Sequence, residues 1–278
     1  MSRGIIFYNS GTKCLPRLLV SVHSLRQHYD GNICIISSGD GSRQFCAEVA
    51  IKYKCVYKEF SSDITHMKNH FWFEKSRMHL YSPYDTTIFI DSDTLTIKDP
   101  SDLFEITEEH EFAVPQFADW TTQKGLIKKR LLPWKEFDEH LVNTAINTNM
   151  KSVNVGVYGF VKQSELMKNW FDFTKQMPEA VLPEESSCHL LLNKYKGLIV
   201  DRGYNCSCKF DDPNRPNTRI IHYHGRKHCR KHPVTGEFMF NASSWVKTWK
   251  PLLRDNVCNV SSIYKVCGDN HLEKLYDI

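Results

Sequence analysis

Two rhythms of apolar and polar positions alternate along the first ninety residues. Residues 5–8 are a short apolar run that ends in the turn-prone Asn9-Ser10-Gly11. Leu15, Leu18, Leu19, Val22 and Leu25 then recur at i, i+3, i+4, i+7 and i+10, one apolar face at helical period. Residues 33–36 read as a second buried strand, 42–53 as a helix, 55–60 as a third strand and 66–81 as another helix. Residues 86–90, rich in β-branched side chains, predict a fourth strand. Asp99-Pro100 reads as a helix start, with Asp99 as N-cap and Pro100 at the first helical position. Beyond it the pattern predicts a strand over 153–160, helices over 163–176 and 185–195, and short strands over 198–200 and 219–223.

Strand–helix alternation of this kind predicts an α/β fold, a mostly parallel central sheet with helices on both faces. In such sheets ligands sit beyond the carboxyl ends of the strands. That rule selects the loop after strand one, Asn9-Ser10-Gly11, and the loop after strand four, Asp91-Ser92-Asp93. The second half shows no repeat, low-complexity tract or linker, so residues 1–232 read as one continuous domain and 233–278 as a C-terminal extension packed on it.

Composition narrows the setting. The 278 residues are 41% hydrophobic and 24% charged, ordinary for a globular chain. No stretch approaches the roughly 20 apolar residues of a membrane span, and the apolar run in MSRGIIFYNSG is too short for a signal-peptide core. The expectation is a soluble, cytoplasmic protein whose ten cysteines are reduced thiols, and in which the Asn-x-Ser triplets at Asn205, Asn241 and Asn259 are chance matches. A net charge of +4 suits a phosphate-rich small molecule and is too small to indicate nucleic-acid binding. The basic run over 123–135 reads as a solvated face.

The carboxylate pair after strand four carries the chemistry. An apolar strand runs straight into Asp91-Ser92-Asp93, and apolar residues resume at once, so neither carboxylate is mere surface decoration. Desolvated charges need a partner, and a hard divalent cation such as Mn²⁺ or Mg²⁺ prefers carboxylate oxygens.

The stretch from Lys75 to Glu105, KSRMHLYSPYDTTIFIDSDTLTIKDPSDLFE, resembles the core of the family 8 glycosyltransferases, glycogenin-like enzymes above all. The likeness includes a lysine sixteen residues before the first aspartate, the strand, Asp-x-Asp-Thr-Leu and the following Asp-Leu-Phe-Glu. Val153-Asn154-Val155-Gly156-Val157 resembles the family's Phe-Asn-Ser-Gly-Val strand, and residues 220–227 resemble its late His-Phe-x-Gly-x-x-Lys segment. Together these matches cover residues 4 to about 230.

The resemblance implies a GT-A fold, a single Rossmann-like nucleotide-diphospho-sugar transferase domain. It implies a metal-dependent hexosyltransferase moving a sugar from a nucleotide-sugar donor, a UDP-hexose such as UDP-glucose, to an acceptor hydroxyl. By this likeness Asp91, Asp93 and His222 are metal ligands for Mn²⁺ or Mg²⁺. Tyr8, Asn9, Ser10, Ser92, Asn154, Gly225 and either Lys227 or His228 would contact the donor, and Lys75 the sugar or a phosphate.

The chain departs from the family at three places. Cys14 stands near the position of a base-stacking Tyr, which leaves Tyr8 as the substitute. His228 falls where the late lysine is usual, with Lys227 one residue early. The Asp-Gln pair that lines the sugar falls on Cys188-His189, with Glu185 matching an acidic residue three positions before. Glu185 is thus the candidate base or sugar-orienting group, with His189 the alternative, and retention or inversion is open. The acceptor, whether glycan, protein, lipid-linked sugar or nucleic acid, is not named by the sequence.

Three rival readings remain. A sugar nucleotidyltransferase lacks its glycine-rich phosphate loop here. A catalytically inactive nucleotide-sugar-binding module is favoured by Cys188-His189 and opposed by the Asp91, Asp93 and His222 set. Cys206, Cys208, His222, His224, His228, Cys229 and His232 are dense enough for a zinc site, though their spacing matches no standard pattern.

Overall fold

The computed structural model describes residues 1–224 apart from 12–14, 39–40, 68–69, 119, 149–150, 208–210 and 213. Its elements run β1 (Arg3–Ser10), α1 (Leu15–Arg26), β2 (Ile33–Ser38), α2 (Arg43–Lys52), β3 (Val56–Glu59), α3 (His70–Lys75), α4 (Met78–Tyr81), β4 (Thr86–Ile90), β5 (Thr94–Thr96), α5 (Leu103–His110), β6 (Phe112–Ala118), α6 (Trp120–Leu131), α7 (Lys135–Asn147), β7 (Ser152–Val153), β8 (Val157–Val161), α8 (Glu165–Thr174), α9 (Pro183–Leu191), β9 (Leu198–Val200), β10 (Cys206–Ser207) and β11 (Ile220–His222). The architecture is mixed α/β, with a mostly parallel central sheet flanked by helices. The chain divides into two compact units.

One unit holds residues 5–61, 90–101 and the described residues from 206 onward. Its strands lie in the order β3-β2-β1, all parallel, with Ile5 opposite Ile33 and Cys34 opposite Val56. β1 and β2 are buried along most of their length, which explains why they read as unbroken apolar runs. The five periodic residues of α1 are all buried, as their spacing predicts. The opposite, polar side of α1 packs on β5: Ser21 Oγ lies 2.5 Å from Thr94 Oγ1, and Ser24 Oγ accepts the Thr96 amide at 3.0 Å. β5 belongs to a three-stranded sheet in the order β10-β11-β5, in which His222 of β11 faces Thr94 antiparallel and Ser207 of β10 parallel.

The other unit holds residues 1–4, 62–89 and 102–205. Its strands run β4-β8-β6-β7, with β9 parallel on β6. A continuous aromatic core fills it. The rings of Phe89 and Phe112 stack on Tyr158, and Trp170 meets both Phe112 and Tyr158 edge-on. The Trp170 indole N–H is satisfied by the Glu184 carbonyl and Ser187 Oγ, both at 3.0 Å, which ties α8 to α9.

Three predicted elements differ in detail. The helix over 66–81 is broken into α3 and α4, because Ser76 Oγ bonds back to the Phe73 carbonyl at 2.6 Å and Arg77 leaves helical geometry. Asp99 caps only a turn, accepting the Ser101 amide at 2.9 Å, and α5 begins later, at Leu103. The strand over 153–160 is two strands, parted where Asn154 Oδ1 accepts the Gly156 amide at 3.0 Å in a local turn. Residues 233–278, read as an extension, lie outside the described residues. Among the described residues no helix is long and apolar enough to cross a membrane.

Candidate metal centre

β4 delivers the chain to Asp91, and Ser92-Asp93 form a turn before β5 begins. This turn is fixed from three sides. Thr94 Oγ1 donates to the Asp91 carbonyl at 2.9 Å, Ser92 Oγ to the Tyr8 carbonyl at 3.3 Å, and the Tyr223 amide to the Asp93 carbonyl at 2.9 Å.

Pairing of β11 with β5 brings His222 to the same turn across 129 residues of sequence. Its Nε2 lies 3.1 Å from Asp93 Oδ1 and 3.8 Å from Asp91 Oδ2, and one ligand atom from each of the three lies within 4.8 Å of the others. The His222 ring is nearly fully buried, and both aspartates are partly buried. It meets the His224 ring edge-on at 5.1 Å, and His224 Nε2 is 2.6 Å from Ser207 Oγ. Nδ1 of His222 is buried and makes no hydrogen bond among the described residues.

These residues fit a hard divalent cation. Two hard anionic oxygens and a borderline nitrogen converge, the donor set for Mg²⁺ or Mn²⁺. At metal–ligand distances near 2.1 Å, adjacent octahedral ligands stand about 3 Å apart, and the 3.1 Å between His222 and Asp93 matches this. Arg17, in the first turn of α1, completes the surroundings with Nη1 3.5 Å from Asp93 Oδ2.

Tyr8, Asn9 and Ser10 end β1 in the same unit. The Tyr8 hydroxyl bonds Ser38 Oγ at 2.8 Å, and its ring is tilted against Phe60 with centroids 5.9 Å apart. Asn9 Nδ2 donates to the carbonyl of Gly11 at 2.8 Å, while its buried Oδ1 has no donor among the described residues. Gly11 itself takes a φ of +68°, which closes this turn at no steric cost.

A second polar cluster lies wholly within the other unit. Glu185, in the first turn of α9, is buried, and both its oxygens are engaged. Oε2 accepts Arg130 Nη1 at 2.8 Å, and Oε1 accepts Asn154 Nδ2 at 2.6 Å. Asn154 in turn accepts Asn205 Nδ2 at its side-chain oxygen, 2.7 Å, and at its carbonyl, 3.0 Å. A small cavity opens among Arg130, Ser152, Glu185 and His189.

Cys188 and His189 are buried on α9, and burial beside Glu185 and Glu184 pushes the Cys188 thiol well above its ordinary range. Lys75 ends α3 with its Nζ 5.7 Å from the centroid of the Phe89 ring, and its carbonyl accepts the Tyr158 hydroxyl at 2.5 Å.

Gly225, Lys227 and His228 lie outside the described residues, as do Cys208, Cys229 and His232 of the zinc reading. Cys206, the remaining cysteine of that set, is a buried thiol that burial pushes up to about 12.

Three residues of these clusters carry no clear mark in the sequence. Arg130 sits in the basic run that reads as a solvated face, yet its side chain is largely shielded from solvent and pairs with Glu185. Asn205 opens an Asn-x-Ser triplet, but its amide is spent on Asn154. Arg17 shows only as a cation in the first turn of a helix.

With this sheet order and this turn after β4, the fold is that of the GT-A glycosyltransferases. No protein-family model matches the sequence, and no curated protein matches it. Solved structures do resemble it. The glycosyltransferase GlyE of Streptococcus pneumoniae TIGR4 superposes with a TM-score of 0.61 at 16% identity, over 95% of this chain and 64% of GlyE. The galactosyltransferase LgtC, in complex with donor and acceptor sugar analogues, gives 0.60 at 13% identity, over 89% of this chain and 95% of LgtC. Mouse xyloside xylosyltransferase 1 in its apo form gives 0.56 at 11% identity, over 80% and 97%.

Proposed function

We propose that this chain is a metal-dependent glycosyltransferase that moves a hexose from a nucleoside-diphosphate sugar, a UDP-sugar by its resemblance to family 8, to an acceptor hydroxyl. The observation that carries the reading is the convergence of Asp91, Asp93 and His222 on one point at the turn after β4. Fold alone would not choose a chemistry. The donor set is what adds it.

Breaking the bond between the anomeric carbon and the diphosphate leaves positive charge on the sugar and negative charge on the leaving group. A Mn²⁺ or Mg²⁺ ion, when bound, supplies the positive charge that stabilises the departing diphosphate. The chain's part is to hold that charge in place. Asp91 and Asp93 offer oxygens from a turn pinned by Thr94, Ser92 and Tyr223, and His222 offers Nε2.

Asn9, whose buried Oδ1 has no donor among the described residues, is assigned to the nucleoside, as are Tyr8, Ser10 and Ser92. Lys227 or His228, with Gly225, is assigned to the diphosphate. Asn154 and Lys75 are assigned to the sugar. Glu185 is given the orienting role rather than proton transfer, since taking a proton would weaken its bond to Arg130 or to Asn154. His189 is then the candidate for the acceptor's proton.

The binding-only reading is favoured by Cys188, a protonated thiol where a carboxylate is usual in the resembled family. One assay decides between them. Donor consumption is followed by nuclear magnetic resonance with a panel of UDP-hexoses, Mn²⁺ and simple sugar acceptors. Asp93→Ala is expected to lower metal-dependent turnover by at least about 100-fold with the fold retained. Full, chelator-insensitive turnover by Asp93→Ala would overturn the metal reading. Donor binding without any turnover would favour the binding module.

A further inference from the structure

Arg17 is the third residue of α1, and that helix has no acidic residue in its first turn. A cation there opposes the positive end of the helix dipole, so its own helix gives it no reason to be present. The register of α1 explains where it points. Arg17, Ser21 and Ser24 stand at i, i+4 and i+7 on one face. Ser21 and Ser24 bond Thr94 and the Thr96 amide of β5. One turn earlier, the same face meets the residue before Thr94, and Arg17 Nη1 lies 3.5 Å from Asp93 Oδ2. His222 faces the other oxygen of that carboxylate, Oδ1. Asp93 is therefore shared between an imidazole and a guanidinium.

A divalent cation approaching this turn meets the two carboxylates and the positive charge of Arg17. The guanidinium competes for Asp93 and repels the ion. Its planar fork is also suited to phosphate oxygens. Resting on the cation reading above, we propose that Arg17 is a latch on the cation site that a diphosphate releases. In the empty protein Arg17 holds Asp93. The cation and a nucleoside diphosphate then bind together, with the guanidinium passing from Asp93 to a phosphate oxygen. The coupling is reciprocal, so each ligand tightens the other.

The test is Mn²⁺ binding by isothermal titration calorimetry on the full chain, with and without UDP, and with folding checked by circular dichroism. Removing a unit charge about 5 Å from a divalent ion in a well-hydrated setting changes affinity roughly tenfold. Arg17→Gln and Arg17→Ala are expected to bind Mn²⁺ alone about tenfold more tightly than wild type, and Arg17→Lys about as weakly as wild type. UDP is expected to tighten Mn²⁺ binding in wild type by more than in Arg17→Gln. If wild type binds Mn²⁺, Asp93→Asn does not, and the neutral Arg17 variants bind it no more tightly than wild type, the latch is wrong and the cation reading stands. If UDP tightens Mn²⁺ equally in wild type and Arg17→Gln, the transfer to phosphate is wrong. If neither wild type nor the neutral variants bind Mn²⁺, both the latch and the cation reading are overturned.

Discussion

Arg130→Met removes a charged partner of Glu185 and leaves the carboxylate buried, with Asn154 still donating to it. The two side chains are only 11% and 8% exposed, so water cannot readily take the place of the guanidinium. Breaking such a pair from one side costs about 3–5 kcal/mol. The variant has an escape, which is to take up a proton. Neutralising an ordinary glutamate, titrating near 4.3, costs about 3.7 kcal/mol at pH 7 and about 1.6 kcal/mol at pH 5.5. Protonation therefore caps the penalty, and the cap falls as pH is lowered.

The expected result is a loss of about 3 kcal/mol at pH 7, shrinking to about 1.5 kcal/mol at pH 5.5. Arg130→Met combined with Glu185→Gln should recover most of it, because the second change removes the stranded charge. Urea denaturation followed by circular dichroism at both pH values measures this directly. A loss below about 1 kcal/mol at pH 7, or one that does not change with pH, would refute the reasoning.

Other outcomes follow from buried groups. Burial beside Arg77, Lys162 and Lys168 lowers His79 to about 4, and its Nδ1 has no hydrogen-bond partner among the described residues. The unfolded chain takes up this proton first, near the ordinary value of about 6.5. Its contribution is thus full above pH 6.5 and is lost as pH falls toward 4, on the order of 2 kcal/mol after allowing for partial exposure. His79→Gln should flatten the stability profile in that window, and an unchanged slope would count against it. Burial pushes Cys34, Cys46 and Cys206 up to about 12 and holds Cys188 well above its ordinary range. A thiol-specific reagent at pH 8, read by mass spectrometry, should leave these four unmodified until denaturant is added. Rapid native labelling of Cys188 would contradict its burial.

The parts of the fold that were legible in the sequence are those where one physical signal dominates. α1 shows itself because five buried residues share one face, and β4 because all five of its residues are buried. Asp91 and Asp93 stand out because they interrupt that apolarity.

The span from 105 to 153 reads poorly for identifiable reasons. Pro115 falls inside β6, where a proline argues against a strand. It is tolerated because β6 changes partner there, from β8 at Phe112 and Ala113 to β7 at Gln116 and Ala118. α6 carries Lys128, Lys129 and Arg130 together, so its charge pattern hides that Ile127 and Leu131 are buried and that Arg130 turns inward. β5 is three residues long and shows no period of its own. Arg17 and Asn205 are invisible until their partners are in place, since neither their residue types nor their spacing announces a partner 76 or 51 positions away.

His222 reaches the aspartates only through the register of β11 on β5, in which it faces Thr94. Side chains of a strand alternate between faces, so a slip of one residue would turn the imidazole away from the carboxylates. Competence for the cation is therefore a report on whether a late strand has docked correctly on an early one. It also has a place in time. A chain leaves the ribosome at about 5–20 residues per second, so the 129 residues between Asp93 and His222 take roughly 6–26 s to emerge. For that interval the nascent chain carries the acidic turn without its imidazole, and Arg17, made earlier, is already available to neutralise Asp93.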